Sequence, residues 1–544
     1  QMVALTSLQA PALSTVQVAV LTTGQVAALE SNDLRALTTA QAAVLNSSQL
    51  SALSLEQVGV LTSSQIAVFG TTALRGLGTL QVPVLNSTQV QALTVAQVAS
   101  LTTAQIAAME VADVASLTTQ QVVSLTTQQV VALSAEQIGG LTSVQVSNFT
   151  TSQIVALTSV QIVAVETGDL RALGTTLVAA MSTGQIASLS LEQVMALTTV
   201  QLPVLSVASV RALAVDRIQA MDTAQYGAFT TAQIAGLSTQ QVSALETRDL
   251  QVLSTAQVGA LGTGQVAVLS GEQVSALTTQ QLASLSTAQV AVLSATQVAA
   301  VETGDLSALT LTQVAVLGSA QVGGLLETQI PVLTTGQIGA LSTVGMRGLS
   351  ATQVAALTSV QAAALTSIQI GALSTLQVGA LETVDLRALT TAQVSVLSST
   401  QVAALSVDQL VAMGTAQVAA IGTVALRGLG GTQLAALTTQ QAQALTTDQL
   451  PTLSTAQVAA LEVADLAVLT TVQMGALTVQ QVASLSVDQV AGLTSLQLSN
   501  LTTAQVAALG SVQVAAIETA DLRTLTSSQV SVLSSVQVGA LSLD

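Results

Sequence analysis

The side chains in this sequence that could do chemistry are its acids and arginines, and they stand in fixed places. Eight segments read LESNDLRA, MEVADVAS, VETGDLRA, LETRDLQV, VETGDLSA, LETVDLRA, LEVADLAV and IETADLRT, each with an acid three residues before an Asp. Pairs such as Glu30/Asp33, Glu166/Asp169 and Glu382/Asp385 offer oxygen ligands of the kind Ca²⁺ takes, so Ca²⁺ is the one cofactor to weigh. They lack the spacing and turn glycine of a calcium loop. The reading preferred for them is electrostatic and holds no metal: acids sit at the positive end of a helix, and an Arg from a neighbouring unit closes a charge ladder. Catalysis is not expected. The chain has no His, Cys or Lys, and a catalytic site needs one special place where this sequence offers many equivalent ones.

Composition narrows the partners. Half of the 544 residues are hydrophobic, 7% are charged, and the net charge is −17 with ten Arg against 27 acids. Nucleic acid and anionic membrane surfaces both require clustered cations, which are absent. Thr, Ser and Gln interrupt every apolar run before it reaches the ~20 residues of a membrane span. The absence of Cys excludes disulfides and thiolate metal sites.

These residues are positioned by a repeat of eight. From Leu5 to Leu541, 68 anchors recur at that step; all are apolar, and eleven are not Leu. No insertion or deletion occurs anywhere, so each octad must be coupled geometrically to others, since a free surface loop tolerates length changes. The consensus from the anchor is Leu-Ser/Thr-Ser/Thr-x-Gln-Val-Ala-Ala. Ser or Thr at the second position and Gln at the fifth make a capping box, with the anchor and the sixth-position Val as its hydrophobic staple. That register predicts an all-α solenoid of very short helices, one per octad, over residues 1–544 with no linker. The alternative is a β-solenoid side with the sixth and eighth positions inward. Scarce Gly and Asn at fixed corners, and Ala at the outward seventh position, count against it. The five prolines, Pro11, Pro83, Pro203, Pro331 and Pro451, all stand at that seventh position and strain either reading. The anchor, the sixth and the small eighth residue are the expected core. Tyr226, at a sixth position, and Phe69, Phe149 and Phe229, at anchors, are expected in it too.

The charged octads keep a ruler. With related octads such as FGTTALRG and IGTVALRG, their second positions fall at residues 30, 70, 110, 166, 206, 246, 302, 342, 382, 422, 462 and 518, always five or seven octads apart. Fourth-position acids follow sums of the same steps, except Asp216. If such a class marks one face of a superhelix, a turn holds about 2.4 octads, or less well about 5.7. Either gives an approximate long period of 17 octads, or 136 residues, and 544 is four of these. Arg35, Arg171, Arg387 and Arg523 are then expected along one line. Chain ends in matching phase suggest a segment of a longer regular array.

The stretch LTxxQVxAL resembles the helix opening of transcription-activator-like effector repeats and of the helix before EF-hand loops. Both imply a helix start at the Thr, and neither function carries over. As a whole the chain resembles very repetitive Thr/Ala/Gln-rich secreted bacterial proteins of the adhesin or surface-fibre type. The resemblance implies a secreted or cell-surface structural protein that self-associates as a filament, sheath or adhesin stalk. The alternative is a repetitive binding module: a glycan- or ice-binding array, or a Ca²⁺-stiffened adhesin.

Overall fold

The computed structural model describes residues 1–542. The chain divides into two compact units, Gln1–Val268 and Leu269–Asp544, and the division falls between two octads. Each unit is a coil of very short helices. Among the described residues there are 62 α-helices, six 3-10 helices and no strand, so the helical reading holds and the β-solenoid is set aside.

One octad explains the others. In the segment from Phe149 to Ala156, Thr150 is extended (φ −76°, ψ 159°) and the helix Thr151–Ala156 follows. The Thr150 hydroxyl accepts the Gln153 N–H at 3.2 Å, and Gln153 Oε1 accepts the Thr150 N–H at 2.8 Å. The next anchor, Leu157, closes the helix in an extended conformation (φ −57°, ψ 133°), and its N–H bonds the Ile154 carbonyl. Two extended residues therefore make each corner. No described residue other than Gly, and no Gly, has positive φ. The corners need no left-handed residue, which is why Gly and Asn are not fixed there.

The prolines fit because the helices are short. Pro11, Pro83, Pro203 and Pro451 lie in the 3-10 helices Ala10–Ala12, Val82–Val84, Leu202–Val204 and Leu450–Thr452, and the octad of Pro331 opens with the 3-10 helix Glu327–Gln329. A seventh-position Pro deletes the N–H that would reach the third-position carbonyl, so the turn tightens to i→i+3 bonding.

The core differs from expectation at two places in each octad. The anchor and sixth positions are buried as expected: Phe149 and Ile154 are 3% and 1% exposed. The eighth position is only half-buried, whereas the fifth-position Gln is buried; Gln153 is 2% exposed. Its side chain does more than cap. Gln153 Nε2 donates to the carbonyls of Val122 at 2.9 Å, Val123 at 3.3 Å and Leu125 at 2.8 Å. Gln369 repeats this in the second unit, reaching Ile338, Gly339 and Leu341. From Gln41, once a preceding turn exists, such a Gln joins its own helix start to the helix end four octads back and to the anchor three octads back.

This bridge sets the pitch. A turn holds between three and four octads, and the helices that pack on each other are three octads apart, as Thr119–Ser124 is from Val95–Ser100. The values of about 2.4 and about 5.7 octads per turn drawn from the ruler are both overturned. The same bridge accounts for the strict register. One inserted residue would carry every following Gln off the carbonyls of the turn before it.

Replacing one Gln separates its two roles. Gln153→Ala leaves the Thr150 N–H and the Leu125 carbonyl without partners, at a cost of about 2–3 kcal/mol in local stability. Gln153→Glu keeps the acceptor and loses the donor, so it costs as much or more at pH 7 and recovers below about pH 5, where the carboxyl carries a proton. Hydrogen exchange of the amides around residues 121–157 reads both effects.

Candidate functional site

The octads that break the glutamine pattern are the ones the ruler marks. Fifty-three of the 67 fifth positions are Gln and none is Glu. All twelve marker octads have something else: eight Asp, with Ala73, Ser209, Gly345 and Ala425. Only Leu177 and Arg217 depart from Gln elsewhere. The marker is therefore an interruption of the bridge between turns. Glu could serve a capping box as well as Gln. Its exclusion from the fifth position was the sign that a buried donor is needed there.

Two local solutions replace the missing amide. In the octads of Arg75, Arg347 and Arg427, a small fifth residue is combined with Gly at the eighth position, and the turns close up. A Cβ on Gly76, Gly348 or Gly428 would stand 2.0–2.1 Å from the carbonyl oxygen of Ser47, Ser319 or Ser399, each three octads back. The second solution is Asp. Asp33, Asp169, Asp249, Asp385 and Asp465 are buried, at 0–4% exposure. One carboxylate oxygen takes a hydroxyl from the third position three octads back in several cases: Ser87 to Asp113 at 3.0 Å, Ser143 to Asp169 at 2.5 Å, and Ser359 to Asp385. The other oxygen has no hydrogen-bond partner at Asp33, Asp169, Asp385 and Asp465, and at Asp249 it is Oδ1 that has none.

The second-position Glu residues beside these buried Asp do not cap, whereas the second-position Asp222 accepts the Gln225 N–H at 2.8 Å. Glu30, Glu166, Glu382 and Glu462 make no side-chain bond to the helix start, unlike the Ser and Thr they replace. The expected charge ladder is not formed either. Among the described residues, ion pairs join Arg217 to Asp216, and Arg248 to Glu246 and Asp249, all within single octads. Arg35, Arg171, Arg387 and Arg523 take part in none. Two seventh-position arginines serve helix ends instead: Arg75 Nε donates to the Ser100 carbonyl at 2.9 Å and Arg171 Nε to Ala196 at 3.3 Å, both three octads ahead.

The one-face reading of the ruler also changes. No pitch between three and four octads makes a five-octad step a whole number of turns, so markers five octads apart face different sides, whereas a seven-octad step is about two turns and returns near the same side. Seventeen octads do make five turns at about 3.4 octads per turn, which is the separation of Arg35 from Arg171 and of Arg387 from Arg523.

Burial pushes the carboxyls of Asp113, Asp249, Asp385 and Asp465 above the usual range, Asp465 to about 6, with the neighbouring Glu462 adding to it. Around Asp249 the deficit is met from within. Its side chain lies 3.7 Å from Arg248, and the carbonyl of Ile218, which a Gln at 249 would reach, accepts the Tyr226 hydroxyl instead. Tyr226 is fully buried and packs edge-on against Phe229, so it belongs to the core as expected. Burial raises its phenol well above the ordinary value. Arg217, at a fifth position, likewise sends Nε to the Leu189 carbonyl at 2.6 Å, the place an amide fills elsewhere.

No helix among the described residues is long and apolar enough to cross a membrane, and no cluster of three or more His, Cys, Asp or Glu side chains occurs among them. A profile of the ALTTAQ repeat matches thirteen segments: 26–63, 61–95, 106–143, 162–199, 210–247, 242–279, 298–335, 331–367, 378–415, 410–447, 418–455, 458–495 and 514–544. The chain belongs to the ALTTAQ repeat family. Nine of those segments open four residues before a marker position, so the unit of the ALTTAQ repeat is in phase with the interrupted octads. A comparison with curated proteins finds no match.

Two measurements test this account. Gly428→Ala forces a Cβ into backbone and costs about 1–3 kcal/mol, whereas Gly168→Ala, with open space around it, is neutral or gains up to about 1 kcal/mol from helix propensity. Urea unfolding ranks the pair. The Asp465 carboxyl is raised in the folded state, so the folded chain takes up this proton before the unfolded one. Its contribution to stability is complete below about pH 4 and is lost as pH rises through about 6. In chelator-treated buffer, unfolding midpoints at pH 4.5 and 7 should differ less in Asp465→Gln than in the parent chain.

Proposed function

We propose that this ALTTAQ array is an extracellular structural protein, acting as a filament, sheath or adhesin stalk at the surface of the producing cell, and not an enzyme. The observation that carries the reading is the glutamine bridge. It repeats with the same partners along each unit, so the fold offers a regular scaffold in place of one distinguished pocket. Self-association is supported by apolar side chains held in water at the fourth position. Val360, Ile368, Leu376 and Val384, in four successive octads, are 57–78% exposed. With three to four octads per turn, such a run presents an apolar group on every side of the coil, which favours lateral contact between copies.

The purified full chain is expected to assemble as its concentration rises, read by light scattering and electron microscopy. The triple change Val360→Ser, Ile368→Ser, Leu376→Ser should raise the concentration required about tenfold or more while leaving helicity unchanged. A chain that stays monomeric at high concentration removes the filament reading. Antibody labelling of intact producing cells tests the location, and signal only after lysis counts against a surface role.

A further inference from the structure

We propose that the Asp octads at residues 33, 169, 385 and 465 are binding sites for a divalent, oxygen-seeking cation of the Ca²⁺ class, each tying one turn of the coil to the turn before it. The argument begins with what Gln does elsewhere. Its Nε2 brings positive hydrogens to two converging carbonyls, as Gln153 does to Val122 and Leu125. The carbonyls in the same relation to the Asp residues are Ile138 and Leu141 for Asp169, Val354 and Leu357 for Asp385, and Leu434 and Leu437 for Asp465; for Asp33 they belong to Met2 and Leu5. No amide donor comes to the anchor carbonyl in these octads. The side chain at the fifth position is instead a carboxylate with a buried oxygen that has no hydrogen-bond partner. The helix-end carbonyls keep the next anchor's N–H, as Ile138 does with that of Leu141, so the positive group that is missing is the one the Gln amide brings to both carbonyls elsewhere.

Geometry and charge agree on what belongs there. Asp is one methylene shorter than Gln, so its oxygen stops short of the place Nε2 takes. Cations of this class bond carboxylate and carbonyl oxygens at about 2.3–2.6 Å, which spans such a separation. The donor set is all oxygen: the Asp carboxylate, the anchor and helix-end carbonyls, the third-position hydroxyl of Ser143 or Ser359, and the Glu three residues earlier. That Glu is not engaged in capping and is free to turn in. Two carboxylates per site suit a divalent charge. The chain supplies its own counter-evidence where a cation is not needed. At Asp249 the positive group is Arg248, and Tyr226 satisfies the helix-end carbonyl.

Calorimetric titration of CaCl₂ into the chelator-treated full chain, with inductively coupled plasma measurement of bound metal, tests this. The expected result is about four Ca²⁺ per chain, saturating by about 10 mM, with a rise in the unfolding midpoint. Each of Asp33→Gln, Asp169→Gln, Asp385→Gln and Asp465→Gln should remove one equivalent. The fourfold variant should bind none yet stay folded by circular dichroism, because Gln restores the bridge used in the other octads. Absence of calcium binding, or binding that the fourfold variant retains, overturns the proposal. A stoichiometry that does not fall with each substitution overturns it as well.

Discussion

An amide buried between two turns must place its hydrogens and its oxygen on partners, and most of this structure follows from that demand. From Gln41 onward the fifth-position Gln sets Oε1 on its own helix start and Nε2 on carbonyls 28 to 31 residues back, as Gln49 and Gln505 do in the two units. An unpaired buried polar group costs about 1–3 kcal/mol, so an octad that slips by one residue loses on several groups at once. The hydrophobic anchors alone would not give this selectivity. Apolar burial is non-directional, and Leu, Met, Ile, Val and Phe all serve at the anchor.

The helices are too short to hold themselves. A helix of four to six residues lies below the length at which isolated helices persist in water. Two caps and two buried side chains make each one viable, and the turn on either side supplies the rest. Stability is then a property of neighbouring turns, as in other solenoids. The same economy explains the proline octads, which give up one internal bond and keep the anchor, the Gln and the sixth-position core. Where the Gln is absent the chain compensates locally. It closes the turns around glycine, brings in Arg217 or Tyr226, or leaves a buried carboxylate whose raised proton affinity records its poor solvation.

Much of the fold is legible in the residues. Ser/Thr at the second position with Gln at the fifth encodes the cap, and the staple register encodes where each helix starts, because these are bonds within one octad. Scarcity of corner Gly correctly spoke against β corners. The ruler was legible as a spacing, and its marker octads are real interruptions. Its meaning was not legible: a spacing of five and seven octads admits several pitches, and only the partners of the Gln side chains choose among them.

What the sequence determined by itself is the period, the helix per octad, the capping and the apolar anchors, all of them set by contacts a few residues apart. What only the tertiary structure decided is the pitch of three to four octads, the burial of the fifth position, and the fate of the charges. Glu30, Asp33 and Arg35 look like one ladder on the page. In the folded chain Asp33 is buried while Arg35 forms no ion pair among the described residues, and the carbonyls of Leu34, Arg35 and Leu37 are taken by Gln65, 28 to 31 residues ahead. Pairings at that distance depend on how the coil closes, and a local pattern carries no term for closure.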